Sequence, residues 1–170
     1  MCAARRVATL LSVAALFAMS ARAAEDALAL VDLEGRSVAL APAADRALVL
    51  HFWATWCPSC KGELGDLDLA VRACSNVDVV AVNVGEDPKE VAAWLAARPL
   101  AMRVLIDPDG KAWRSSGGRE VPANAIWANG QRSWSFGPSS AAAWSERLAA
   151  LGCKVAGHEG PPRQNTAAQP

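Results

Sequence analysis

Tyrosine is absent from this 170-residue chain, histidine occurs twice, and phenylalanine and methionine occur three times each. The two histidines, His51 and His158, stand at no recognised ligand spacing, and there is no second CxxC and no HxxxH. A four-ligand structural zinc site is therefore without support. Neither charge sign dominates, with 17 Lys and Arg against 17 Asp and Glu, and no basic patch or stripe stands out. Nucleic-acid binding gets no support from such a pattern. The N-terminal apolar run Val7 to Met19 is 13 residues long, short of the roughly 20 that span a bilayer. No internal repeat is visible. Seven tryptophans accompany the missing tyrosine; they either line a groove or pack the core.

What is present begins at the N-terminus. Arg5 and Arg6 precede the apolar run, and Ala21-Arg22-Ala23 follows it. This is the pattern of a secretory signal peptide over residues 1–23, cleaved after Ala23; an uncleaved membrane anchor is the other reading. Cys2 lies ahead of the apolar run and leaves with the signal. The remaining 147 residues carry 14 basic and 17 acidic side chains, a net charge of −3, and are the size of one domain, placed at 24–154. Four cysteines remain, and an even count in an oxidising compartment favours pairing. Residues 155–170, rich in Pro, Gly and Gln, read as a disordered tail.

The chemistry concentrates at Cys57-Pro58-Ser59-Cys60, directly after the apolar run Ala47 to Trp53. A cysteine in the first turn of a helix faces unpaired N–H groups and the positive end of the helix dipole, which favour the reactive thiolate. Cys60 lies one turn on, within reach of a disulfide. Cys57 is thus the attacking sulfur and Cys60 the resolving one. Pro58 suits the first helical position, where its missing N–H costs nothing. Half of a zinc site is the competing reading of a lone CxxC.

The surrounding pattern is α/β. Leu28 to Leu40 reads as a hairpin about Glu34-Gly35. Ala47 to Trp53 and Val77 to Val84 are continuous apolar runs, as in strands buried on both faces. The helix after Cys57 extends to about Ala73, with Leu64, Leu67, Leu69 and Val71 inward and Glu63, Asp66, Asp68 and Arg72 mostly outward; Gly62 and Gly65 weaken it and permit a kink. A second helix spans Pro88 to Ala97 behind an Asp87 cap, with Val91, Trp94 and Leu95 inward. Met102 to Ile106 is a third strand, and residues 111–120 read as an irregular polar loop. Asn129-Gly130 joins a hairpin of Ala125 to Ala128 and Gln131 to Phe136. Pro138-Ser139-Ser140 starts a last helix that runs to about Leu151, with Ala142, Trp144, Leu148 and Leu151 inward. Two βα units, an antiparallel hairpin and a helix make an α/β sandwich with a mixed sheet.

The stretch Val49-Leu50-His51-Phe52-Trp53-Ala54-Thr55-Trp56-Cys57-Pro58-Ser59-Cys60-Lys61-Gly62-Glu63 resembles the thioredoxin fold. More narrowly, it resembles the TlpA/ResA/DsbE-like branch of exported thiol–disulfide oxidoreductases. Asp32-Leu33-Glu34-Gly35-Arg36, Leu105 to Gly110 and Val121-Pro122 follow in the same order, so the likeness covers about residues 28–151. It implies a three-layer sandwich: a mixed central sheet, helices on both faces and an N-terminal β-hairpin.

The resemblance also implies roles. Val121-Pro122 matches the cis-proline that lies against the CxxC, which exposes Val121 as a short edge for a client chain. Trp56 packs beside the site and shields it, or is simply a core residue. Glu63 matches an acidic residue that handles the resolving thiol's proton; otherwise it is a solvated helix carboxylate. Cys74 and Cys153 fall beyond the ends of two helices that run side by side in this fold. A structural disulfide there would close a loop of about 80 residues, an upper figure of roughly 4–5 kcal/mol; two free thiols are the rival reading.

Three departures stand out. His51 occupies the position of a buried acid in thioredoxins; it is either a satisfied core histidine or a group that tunes the cysteines. Ala123-Asn124 replaces a threonine-rich stretch after the cis-proline. Gly65 replaces a usual helix proline.

The implied function is an exported, periplasmic thiol–disulfide oxidoreductase, acting as a monomer and needing no cofactor beyond its redox-active cysteines. Its partners would be client proteins with disulfides, of the cytochrome c or copper-centre assembly type, and a membrane thiol electron donor. The alternative is a copper- or zinc-handling protein that uses the CxxC with a histidine.

Overall fold

The structure is a computed structural model and describes residues 28–43 and 45–154. The expected signal peptide, Cys2, His158 and the tail lie outside the described residues.

Among these residues seven strands form one mixed sheet: β1 (Leu28–Val31), β2 (Ser37–Leu40), β3 (Ala47–Trp53), β4 (Val77–Val84), β5 (Arg103–Asp107), β6 (Ala123–Ala128) and β7 (Gln131–Phe136). Their spatial order is β2-β1-β5-β4-β3-β6-β7. Among the described residues four helices accompany them: α1 (Pro58–Arg72), α2 (Pro88–Ala96), α3 (Lys111–Ser115) and α4 (Ala141–Ala150). The parallel core β3-β4-β5 is made by the crossovers α1 and α2. The β6–β7 hairpin adds antiparallel to β3, and the β1–β2 hairpin adds antiparallel to β5. Asn129 (φ 53°) and Gly130 (φ 71°) make the β6–β7 turn, where both residues need positive φ.

All seven residues of β3 are buried, as its unbroken apolar run requires. Its alternation splits the core. Val49 and Trp53 face α1, α2 and α4, meeting Leu64, Leu67, Val91, Leu95, Trp144 and Leu148. Leu48, Leu50 and Phe52 face the other way, against Leu105 and Ala112 of α3. Helices thus cover both faces of the sheet. His51 shares the parity of Val49 and Trp53, which places it on the α1–α4 side.

Several expected details are corrected. Leu69 is 67% exposed, while Glu63 and Asp68 are buried. At 100° per residue Leu69 falls opposite the stripe Cys60, Leu64, Leu67 and Val71, whereas Glu63 and Asp68 flank it. Asp68 is held inside because its carboxylate accepts the N–H groups of Ala101 (2.7 Å) and Met102 (2.9 Å) as well as the Arg72 guanidinium. Residues 111–120 are not wholly irregular: the Asp107 carboxylate takes the N–H groups of Ala112 (3.2 Å) and Trp113 (2.7 Å) and so starts α3. Ala142 is exposed; the core side of α4 is Trp144 and Leu148. The helix α1 passes through Gly62 and Gly65 without interruption.

Candidate active site

The site sits where β3 hands over to α1. Cys57 is the N-cap of that helix, with extended backbone, and Pro58 follows in the first turn. Cys57 Sγ accepts the N–H of Cys60 at 3.2 Å. Sulfur thereby replaces one of the missing intrahelical partners, an arrangement that also steadies a thiolate. The two cysteines are joined as a disulfide, with Cα atoms 5.3 Å apart. Both are nearly inaccessible, while Pro58 and Ser59 between them are exposed. Ser59 Oγ lies 3.4 Å from Cys57 Sγ.

From the other side comes the turn into β6. The Val121–Pro122 bond is cis, and the Val121 carbonyl oxygen lies 3.8 Å from Cys57 Sγ. Val121 is half-buried and Pro122 buried. Trp56 is 67% exposed, so it is no core residue. It stands at the surface beside Cys57.

Below the cysteines lies an enclosed polar group. Glu63 is one turn beyond Cys60 and 3% exposed. Its Oε1 accepts the Trp144 indole N–H at 3.0 Å, and its Oε2 has no hydrogen-bond partner. Burial raises the pKa of this carboxyl, partly offset by the Trp144 hydrogen bond, which favours the ionised form. It is therefore not the solvated helix carboxylate of the bland reading. His51 lies fully buried with Nδ1 2.8 Å from Asn124 Oδ1 and 4.0 Å from Glu63 Oε1. Burial lowers its pKa to about 4, against the Asn124 hydrogen bond, and the nearby Arg147 charge adds to the lowering.

Three contributors escaped the linear reading. Glu86 accepts from Thr55 N–H (2.7 Å), the Thr55 hydroxyl and Asn83 Nδ2 (2.6 Å), tying the segment before Cys57 to the end of β4. Trp144 reaches Glu63 across 81 positions, and Asn124 reaches His51 across 73. No local pattern marks such pairs; the register His51↔Asn124 exists only once β3 and β6 are paired. Cys74 and Cys153 lie away from this site, at the far ends of α1 and α4. Their Cα atoms are 5.4 Å apart and the structure joins them as a disulfide. Asn76 and Ser75 bind the backbone of Gly152 and Lys154 alongside.

Among the described residues no group of three or more His, Cys, Asp or Glu side chains is arranged to hold a metal ion. Also among them, no helix is long and apolar enough to cross a membrane.

A mixed sheet with a paired CxxC at the head of its first long helix, faced by a cis-proline turn, defines a thioredoxin-like protein. The chain belongs to the AhpC/TSA family, which it matches over residues 21–129. It is similar to the thiol-disulfide oxidoreductase ResA of Halalkalibacterium halodurans, 29% identical over 110 residues, which is 62% of each chain. It is 33% identical over 82 residues to the thioredoxin-like protein YneN of Bacillus subtilis, 46% of this chain and 48% of that one. The chain thus spans less than two thirds of the length of these curated relatives. A secreted Mycobacterium tuberculosis disulfide oxidoreductase homologous to E. coli DsbE superposes with a TM-score of 0.66 at 26% identity, covering 73% of this chain and 96% of the other.

Proposed function

We propose that this chain is an exported thiol–disulfide oxidoreductase that reduces disulfides of client proteins. The observation that carries the reading is the Cys57–Cys60 pair at the N-terminus of α1, with the Val121 carbonyl oxygen 3.8 Å from Cys57 Sγ. In the reduced protein the Cys57 thiolate attacks a client disulfide and one client sulfur leaves as a thiolate. Cys60 then loses its proton to Glu63 and attacks Cys57 Sγ. The second client thiolate departs, and the protein is left with its Cys57–Cys60 disulfide. Two electrons pass to the client, and no metal, nucleotide or flavin takes part.

The exposed Trp56 and Pro58 flank the attacking sulfur. Val121, positioned by Pro122, offers its backbone to an extended client segment. Cys74–Cys153 serves as a structural staple. Residues 1–23 direct export to the periplasm, 24–154 form the working domain and 155–170 a tail. The clients are proteins of cytochrome c maturation or copper-centre assembly, and a membrane thiol protein returns the electrons; the likeness to ResA- and DsbE-type proteins supports this finer reading.

The test uses the protein lacking residues 1–23. A Cys60→Ser variant accumulates a mixed disulfide with a cystine-containing protein through Cys57, and a Cys57→Ser variant forms none; no adduct with either variant would sink the reading. Equilibration in thiol buffers then fixes the direction. A potential near or below roughly −270 mV supports a reductant, whereas one near roughly −120 mV makes the protein a disulfide donor.

A further inference from the structure

Arg147 stands one turn after Trp144 on α4, and its guanidinium lies over the face of that indole, 4.7 Å from the ring centroid. Its Nη1 also reaches Ser139 Oγ at 3.4 Å, in the segment that leads into the helix. Two anchors therefore hold the cation in place. Trp144 beneath it is fully buried, and its indole N–H donates to Glu63 Oε1 at 3.0 Å. Guanidinium, indole and carboxyl form one line of contacts. It runs from the half-buried Arg147 to the helix turn beyond Cys60.

Such a line transmits charge. A cation on the face of an indole draws π-electron density toward itself. The ring N–H loses part of that density and becomes a stronger donor, as groups in a polarised chain of contacts do. A stronger donor favours the ionised carboxylate. The effect matters because burial, the largest influence on Glu63, raises its pKa; the Trp144 hydrogen bond, the Ser139 backbone and the Arg147 charge oppose that rise. Among the described residues, the other titratable groups facing the carboxyl are Cys57 and Cys60 of α1, joined as a disulfide, and His51 of β3. The His51 Nδ1 lies 4.0 Å from Glu63 Oε1. Burial lowers its pKa to about 4, so it stays neutral above that value. The strand β6 contributes the neutral Asn124.

We propose that Arg147 is a positioning residue for the resolving step: through the Trp144 indole it holds Glu63 in the ionised form that takes the proton of Cys60. The inference rests on the role given to Glu63 above. The Cys60 S–H bond breaks and a Glu63 O–H bond forms. The Cys60 thiolate attacks Cys57 Sγ, the Cys57–client S–S bond breaks, and the departing client thiolate takes a proton from solvent. Arg147 exchanges no proton. It sets how much of the base is ionised near neutral pH.

The test is NMR of the Trp144 indole N–H and the Glu63 carboxyl in the oxidised protein, titrated from about pH 5 to about pH 9. The indole proton resonance should step with the Glu63 midpoint, and the step should vanish in Glu63→Gln. In Arg147→Gln the midpoint should rise by about half a pH unit, the worth of one cation–π contact near the surface. Arg147→Lys keeps a cation and should recover most of that rise. Trp144→Phe leaves a ring under the guanidinium but no N–H. In that background the further loss of Arg147 should move the midpoint by less than half as much as in the wild type. The indole resonance of Arg147→Gln tests the same relay with Trp144 in place: it should move upfield as the hydrogen bond weakens.

A Glu63 midpoint unmoved in Arg147→Gln, or moved as far in Arg147→Lys, would overturn the proposal. Equal shifts with and without the indole, or an unmoved indole resonance, would overturn it too. The pH profile of mixed-disulfide resolution is read beside the titration, in single turnovers of the reduced protein with a cystine-containing peptide. Its acid limb should move to higher pH with the midpoint. If resolution proceeds without regard to the midpoint, the assignment to Arg147 fails while the oxidoreductase reading stands. If no mixed disulfide forms, the oxidoreductase reading fails and the role in resolution falls with it.

Discussion

The Trp144 indole N–H donates to Glu63 Oε1 at 3.0 Å, so the last helix of the domain reaches the carboxyl one turn beyond Cys60. Both side chains are closed off from solvent. A structural core tryptophan thereby becomes part of the electrostatics of the redox site.

Trp144→Phe keeps an aromatic ring in the core, leaves a small void and removes the donor. A buried carboxyl that loses a partner costs about 1–3 kcal/mol. The lost bond favoured the ionised form, so Glu63 should titrate at higher pH in the variant than in the wild type. Denaturant melts and the carboxyl titration check both; an unchanged titration would show that the indole does not govern Glu63.

His51 makes stability depend on pH in a definite direction. Its folded pKa of about 4 lies below the unfolded value of about 6.5. Its contribution is complete above the unfolded pKa and is lost as pH falls through the window between the two values. Linkage makes this about 3 kcal/mol. Glu63 acts oppositely: with its folded pKa raised, its contribution is present at low pH and fades as pH rises through the folded value. Urea unfolding at about pH 7 and about pH 4 should show a larger acid loss in the wild type than in His51→Gln. Equal losses in the two proteins would contradict this.

Asp68 ties α1 to the entry of β5 by accepting the N–H groups of Ala101 and Met102. Asp68→Ala strands both donors in a buried place and should cost about 3 kcal/mol. Arg72→Ala removes only the partly exposed ion pair of the same carboxylate and should cost less than about 1 kcal/mol. Comparable losses from the two variants would mean that the ion pair, not the backbone bonding, holds this joint.

The Cys74–Cys153 link closes a separation of 79 residues. Replacing both cysteines by Ala should lower stability by about 4 kcal/mol, mostly through a freer unfolded chain. The redox pair at Cys57 and Cys60, at the opposite end of α1, should keep its potential. Intact mass under non-reducing conditions should show no free thiol in the oxidised wild-type protein; two free thiols outside the CxxC would remove the staple.

What the sequence determined by itself is everything that rests on short-range pattern. The unbroken run Ala47 to Trp53 marks a strand buried on both faces, and Cys57-Pro58-Ser59-Cys60 after it marks the opening of a helix with a cysteine in its first turn. Asn129-Gly130 dictated its hairpin turn through positive φ. These features need neighbours only a few residues away. The tertiary structure decided the rest. Leu69 faces outward and Glu63 inward because burial depends on which stripe of α1 meets the sheet, not on side-chain polarity alone. Glu86 holds the approach to Cys57, Asn124 orients His51, and Trp144 holds Glu63, all through contacts that strand pairing and helix packing create. A buried polar atom must find its partner wherever the fold brings one, and that partner's position in the sequence carries no local mark.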